Sequence, residues 1–455
     1  MNLLRAALAA TILLAFSIPA FAQQEPVVSQ KKDIAVFALG YYGYSIPSNV
    51  LATVDAEIQR VFVNLGRFNV LGQTVRFSTA DINQFIEILR KSKEENTPLP
   101  EEVKFGEVQL TQALLNQLYG SFVVVIPTIT SYTSEYNSTD AEYQTRIRTS
   151  VAFIDVAEGK TFGWAQINTS GSSEETQNKS IEGALSGIAS QLEYEVRKIP
   201  AFTINSRILS ANLVEARMQL GQDMGIRKGD EYAVIEKRDI MGFEDEVETG
   251  LIMVKDVGSN ASSATILYGT PSSVKEGAQT REIPRQGVDL SLSLGYLRYF
   301  STRYDFMGDE YSDGAVTFAL GGVLTRGFYT FRPSFDIQVI IDPTLWYPIN
   351  AAVGVDMNMY MRRLNIYGNI SIVGGANVVL KILEEALEES DEGWISHFGI
   401  SASVGASYLV SRDVKLYAEA TGMYMHGIFS LLGVTNGPFG SYGGYGANVG
   451  VSFKL

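Results

Sequence analysis

The sequence predicts a composite fold class: an α/β domain with a mixed sheet and helices, then a small β domain, then an antiparallel eight-stranded transmembrane β-barrel. Three observations predict it. Residues 33–199 interleave short apolar runs with amphipathic helical stripes. Residues 200–284 carry brief strand-like runs between turn signals. From residue 287 onward, apolar residues alternate with small or polar ones in about eight successive segments.

Composition sets the bounds. A chain of 455 residues has room for two or three domains. Its 46% hydrophobic and 19% charged residues fit neither a disordered chain nor a helical membrane protein. The net charge of -14 argues against a nucleic-acid partner and against adhesion to anionic phosphate. No cysteine is present, which excludes disulfides, thiolate metal sites, cysteine nucleophiles and acylation at cysteine.

Residues 1–22 read as a secretory signal peptide. Arg5 supplies the positive charge, residues 6–18 the apolar core, and Ala20-Phe21-Ala22 the small-x-small cleavage site. The apolar run is short of the roughly 20 residues that an uncleaved spanning anchor needs. The mature chain is expected to begin near Gln23, with residues 23–32 as a linker.

Residues 33–39 (DIAVFAL) are expected to form a buried strand. Residues 46–65 follow as a helix with Val50, Val54, Ile58, Val61 and Leu65 on one face, stopped by Gly66. Residues 67–72 (RFNVLG) make a short strand, 79–92 a second amphipathic helix, and 107–119 another helical segment. Residues 122–130 (FVVVIPTIT) are apolar enough for a central strand. Residues 143–155 and 160–169 alternate as two strands joined at Glu158-Gly159, and 179–198 closes the domain as a helix. This order of elements over 33–199 resembles the periplasmic fold shared by the curli secretion lipoprotein CsgG, the penicillin-binding-protein activator LpoB and the middle domain of the flagellar protein FlgT. The resemblance implies a protein-binding module without catalytic apparatus. The chain departs from the curli pattern in lacking a lipidated cysteine, and its membrane strands are appended as a block rather than inserted as hairpins. Both differences weigh against a shared oligomeric pore.

Pro200 marks a boundary. Within residues 200–284, the turn at 225–230 (GIRKGD) precedes expected strands at 231–237, 250–257 and 263–268. This stretch resembles the small carboxyl-terminal β-barrel of FlgT-like proteins. A docking surface and a rigid spacer both fit it. Residues 281–286 (REIPRQ) read as a periplasmic linker into the barrel.

In residues 287–455 the apolar rows begin with Val288, Leu290, Leu292, Leu294 and Tyr296, and recur through Val316 to Leu324, Tyr329 to Ile341, Ile349 to Met359, Leu364 to Ile372, Phe398 to Tyr408 and Val414 to Tyr424. The last segment, residues 442–455 (YGGYGANVGVSFKL), closes the set. This part resembles the small eight-stranded outer-membrane barrels of the OmpA/OmpX type. Tyr445, Val449, Val451, Phe453 and Leu455 form its lipid-facing row and the signal that barrel-assembly machinery would engage; the terminal residue is Leu455 rather than an aromatic. The longer connections at 302–313, 342–348, 377–393 and 426–441 are expected outside the cell, and the tight ones at 325–328, 361–363 and 411–413 in the periplasm, beside the amino-terminal domains.

The inward set is polar: Asp289, Arg332, Asp336, Gln338, Asp356, Asn358, Arg362, Asn369, Lys415, Glu419 and Lys454. Side chains fill so narrow a lumen, so the charged members are expected to interlock as a buried ion-pair network, a plug rather than a pore. Tyr296, Phe300, Trp346, Tyr347, Trp394, Phe398, Tyr408, Tyr442 and Phe453 fit interfacial girdles.

Chemistry is sparse. His397 and His426, both expected near the outer rim, are the only histidines, with no metal-ligand spacing around them. No nucleophile elbow or Walker loop occurs, and the Gly-rich run 437–450 precedes no helix. The acidic run 384–392, with Leu380, Leu383 and Leu387, fits a short amphipathic helix in an outer loop, either solvated or binding a cation or host protein. The expectation is a non-enzymatic outer-membrane protein without cofactor. Its barrel would anchor a module that binds an unidentified periplasmic protein in envelope, cell-wall or flagellar assembly. A small pore or a surface adhesin is the alternative.

Overall fold

The computed structural model describes residues 28–41, 46–76, 84, 87–88, 90–92, 94, 102–105, 108–111, 123–156, 158–240, 243–304, 310–341, 348–377, 397–427 and 441–455. The expected signal peptide, the acidic run 384–392, Trp346, Tyr347 and Trp394 lie outside them, as does most of the expected outer loops 342–348, 377–393 and 426–441; of the expected loop 302–313, residues 302–304 and 310–313 are strand.

The first unit is a mixed sheet with helices. Its elements are β1 (Lys32–Ala38), β2 (Gly40–Tyr41), α1 (Ser48–Asn64), β3 (Phe68–Arg76), β4 (Glu102–Phe105), β5 (Val108–Thr111), β6 (Val123–Asn137), β7 (Glu142–Asp155), β8 (Lys160–Ser173), α2 (Gln177–Ser186) and α3 (Ile188–Lys198). The sheet runs β3-β1-β6-β7-β8, with β2 beside β6. β1 lies parallel to β3 and β6, while β6, β7 and β8 are antiparallel. Ile34, Ala35, Val36 and Phe37 are wholly buried, as a strand covered on both faces requires. The α1 stripe of Val50, Leu51, Val54, Ile58, Val61 and Phe62 is buried in the same core.

Two helical expectations are corrected here. Residues 179–198 form two helices rather than one, and the break falls at Gly187, a poor helix former packed against Thr169. Residues 108–111, expected in a helix, form β5 because VQLT pairs antiparallel with EVKF of β4.

The second unit is a closed six-stranded barrel of β9 (Asn205–Ala211), β10 (Glu215–Gln219), β11 (Glu231–Ile240), β12 (Phe243–Val257), β13 (Ala261–Gly269) and β14 (Gln279–Ile283), in the order β10-β13-β12-β11-β14-β9. The expected linker at 281–286 is therefore in part a strand: β14 turns Thr280 and Glu282 inward and pairs with β9 and β11. A charged residue at an inward position had disguised it.

The third unit is a closed antiparallel barrel of β15 (Val288–Tyr304), β16 (Glu310–Leu324), β17 (Phe331–Ile341), β18 (Pro348–Met361), β19 (Leu364–Asn377), β20 (His397–Leu409), β21 (Val414–Gly427) and β22 (Tyr442–Lys454). β22 pairs with β21 and closes on β15, from Asp289 opposite Lys454 to Tyr299 opposite Gly444. The outward rows stay exposed; Val353, Ile372, Ile400 and Val449 are 71%, 75%, 64% and 60% accessible. The connections at 325–330, 362–363 and 410–413 gather at one end, where Gly327, Arg362 and Arg412 contact the six-stranded barrel.

Candidate functional site: the domain junction and the barrel lumen

Three units meet at a buried charged cluster. Arg67, just before β3, makes a two-pronged pair with Glu282 at 2.8 and 3.1 Å. Arg197, in the last turn of α3, reaches the same carboxylate through Nε at 2.7 Å and Asp230 at 3.5 Å. Arg326, from the β16–β17 turn of the large barrel, bonds Asp230 at 2.9 Å and pairs with Glu193 of α3. Arg285 spans Glu231 at 2.8 Å and Asp413 at 2.9 Å, and donates to the carbonyl of Lys454 at 2.9 Å. The ammonium of Lys454 pairs with Glu231.

The chemistry of the cluster follows from its burial. Burial alone would raise the Glu282 carboxyl, but the guanidiniums of Arg67 and Arg197 outweigh it and hold the group far below the ordinary carboxylate range. Glu231 likewise lies low: burial opposes ionisation, and Lys454 and Arg285 overcome it. Beside them Tyr232 is pushed well up, by burial first and then by Glu282 and Asp230. Removing any one member would leave a buried charge uncompensated, so the alternation of sign ties the members to one another.

Apolar contact seals the same seam. Leu251, Met253 and Leu267 of the six-stranded barrel are buried with Leu409, against Tyr329 and Tyr360 of the large barrel. Backbone approaches are close. A Cβ on Gly225 (φ +74°) would stand 1.8 Å from the carbonyl oxygen of Leu65 at the end of α1. One on Gly229 (φ +81°) would stand 2.0 Å from that of Thr325. Only glycine fits either place.

Above this seat the lumen is layered. Nearest the seam lie Asp289 and Lys415, paired at 2.5 Å, and Arg332, whose guanidinium stacks 5.3 Å over the Tyr360 ring and points Nη2 at the sulfur of Met253. The middle tier is acidic. Glu419 accepts from Tyr367 and Asn448 at 3.0 Å each and from Ser403 at 3.2 Å, while Asp356 accepts from Asn369 at 2.6 Å. Asp336 and Gln338 line the same cavity of about 170 Å³. The far tier is apolar: Leu297, Tyr299, Ala315, Ile340, Ala352, Val373, Met423, Met425 and Tyr442 form one buried cluster.

Of the expected network the Asp289–Lys415 pair forms, and the other charged members find different surroundings. Among the described residues Asp336, Asp356 and Glu419 form no ion pair; neutral donors serve the last two. Lys454 pairs outside the barrel, with Glu231. Arg362 (φ +58°) sits in the β18–β19 turn and donates to the carbonyls of Leu213, at 3.0 Å, and Gly269. Asn358 accepts from Asn365 at 2.8 Å. Tyr442, expected in a girdle, points inward and donates to Asn350 at 2.8 Å, 5.2 Å from the ring of His397, which is wholly buried. His426 lies outward, beside Phe398. Tyr445, Val449, Phe453 and Leu455 are exposed on the outer face, with Val451 half-buried. The junction charges were hidden in the sequence; the available signal was Asp230-Glu231 opening an apolar strand and Glu282 alternating with Ile283 within REIPRQ.

No protein-family model matches the chain, and no curated protein sequence matches it. Among solved structures it is similar to the Neisserial surface protein A, at 12% identity over 37% of this chain and 97% of that one, with a TM-score of 0.26. It is also similar to the hypothetical protein CT253 from Chlamydia trachomatis, at 15% identity over 36% and 97%, TM-score 0.24. The outer membrane protein OprG from Pseudomonas aeruginosa is similar at 9% identity over 37% and 96%, TM-score 0.22. At these scores the likenesses carry no weight for this chain, whose eight-stranded barrel is read from its own pairing.

Proposed function

We propose that this chain is a non-enzymatic outer-membrane protein whose closed, plugged barrel holds the two amino-terminal units rigidly at the periplasmic face, where the α/β unit binds a protein partner. The observation that carries the reading is the apolar outer face, on which Arg298, between Tyr296 and Phe300, is a charged exception. Along β18, Ile349 to Met361 present apolar side chains at every second position. Thirteen residues at about 3.3 Å each, tilted by roughly 40°, cross about 30 Å, close to the hydrocarbon thickness of a bilayer. The blocked ends of the lumen favour an anchor over a conduit.

The partner-binding role rests on the resemblance of residues 33–199 to the CsgG, LpoB and FlgT fold and on two exposed aromatics there, Trp164 at 56% and Tyr136 at 54% accessibility. Electrophoresis of the full chain with and without boiling tests the anchor: a folded barrel shifts in mobility, and no shift sinks the reading. Crosslinking in intact cells from residue 164 tests the module; recovery of no periplasmic adduct counts against it.

A further inference from the structure

The turn between β9 and β10 presents bare apolar side chains at the rim of the large barrel. Leu213 is 68% and Val214 51% accessible, and Leu209 on the same hairpin is 38% accessible. Nothing about the turn is loose: Asn212 Oδ1 accepts from the backbone N–H groups of Val214 at 2.9 Å and Glu215 at 2.7 Å, and Ile266 N–H donates to the Val214 carbonyl at 2.8 Å. A six-stranded barrel closed on its own core has no use for this tip.

Its position supplies one. Arg362 Nη1 holds the Leu213 carbonyl at 3.0 Å. Arg362 directly follows Met361, which is 45% accessible and ends the apolar row of β18; Leu364 begins the row of β19. An arginine side chain reaches about 7 Å from its Cα. The tip therefore sits within roughly 10 Å of the edge of the apolar belt, a span comparable with the headgroup layer, about 6 Å deep on each side of the hydrocarbon. The tip thus lies beside the end of the belt, held there by Arg362, and the occupant its apolar side chains fit is the lipid that the belt would face. Arg362 and Arg363, in the turn that ends the belt, form no ion pair among the described residues; they serve carbonyls of Leu213, Gly269 and Leu409 and the Tyr268 ring. With a net charge of -14 the chain as a whole does not adhere electrostatically, so the contact is an apolar one.

We infer that Leu213 and Val214 form a wedge seated in the phospholipid leaflet on the side of the six-stranded barrel, fixing that barrel's rotation against the membrane plane. This rests on the reading of the large barrel as membrane-spanning. The absence of cysteine allows a direct test. The full chain carrying one introduced cysteine, Leu213→Cys, Val214→Cys, Val353→Cys or Asp140→Cys, is labelled with an environment-sensitive fluorophore. Each protein is reconstituted in phosphatidylethanolamine–phosphatidylglycerol vesicles bearing nitroxide either at the headgroup or in mid-chain.

The expected result is loss of most emission at 213 and 214 with headgroup nitroxide, at 353 with mid-chain nitroxide, and at 140, on the β6–β7 turn, with neither. Quenching at 353 without quenching at 213 and 214, or quenching at 213 no greater than at 140, overturns the wedge and leaves the barrel reading intact. No quenching at 353 removes the barrel reading and the wedge with it.

Discussion

Glu282 shows what one buried carboxylate decides. It accepts from Arg67, Arg197 and the backbone N–H of Ile204 at 3.2 Å, and so ties the α/β unit to the small barrel. Glu282→Gln leaves two buried guanidiniums short of a counter-charge and should cost about 3–5 kcal/mol, read as a lower urea midpoint of the helical circular-dichroism signal of the full chain. The sign of its pH dependence is set by its depressed folded pKa. Stabilisation is complete above the unfolded carboxylate value of about 4.3 and drains away as the pH falls towards the folded one. The native midpoint should be flat from about pH 7 to 5 and fall below about pH 4, whereas the Gln variant, lower near neutral pH, lacks this share of the fall and draws closer to the native chain as the pH drops. Gly225 is the steric counterpart. Gly225→Ala forces a Cβ onto the Leu65 carbonyl and should cost on the order of 1 kcal/mol or more, the scale of a strained left-handed residue with a clash, read as a lower value of the same midpoint.

At the level of elements, the strands and their alternation were plain in the sequence because the outward rows are mostly apolar, with Arg298 between Tyr296 and Phe300 a charged exception on β15. The inward rows were harder to read. Parity alone puts Leu297, Ile340, Met423 and Met425 inside, yet they resemble outward residues in type, so the polar members dominated the expectation. Only the curvature of the closed sheet brings them together as an apolar tier beyond the acidic one. Two closures in series predict that the full chain gives no stepwise conductance in planar bilayers. Steps resolvable above the baseline would reverse the choice of anchor over pore. The edge strand β8 belongs to this scale too. Trp164→Ala should reduce the yield of a periplasmic adduct from a nearby crosslinker at Gln166, which is exposed, without moving the urea midpoint.

For the whole molecule, the seat between the two barrels matters most. Arg285 contacts β11, the β20–β21 turn and the last strand at once, through Glu231, Asp413 and the Lys454 carbonyl. Arg285→Ala should leave the heat-dependent mobility shift of the large barrel in place while exposing residues 284–287 to limited proteolysis. Resistance equal to the native chain would mean that the apolar contacts of Leu251, Met253, Leu267 and Leu409 hold the seat alone. Coupling of this kind distinguishes a fixed platform from a domain on a tether.

The amino-acid sequence by itself determined the three-part order, the eight closing strands and the outward apolar rows, because periodicity of two is a local property that any stretch reveals on its own. Tertiary structure decided the rest. That β14 is a strand and not a linker, that Lys454 and Arg285 serve Glu231, and that Arg67 and Arg197 share Glu282 all depend on residues far apart in sequence, 215 positions for Arg67 and Glu282 and more for Lys454 and Glu231. Such pairs leave no periodic trace, and a charge in an apolar context can be read as buried only once its partner is known.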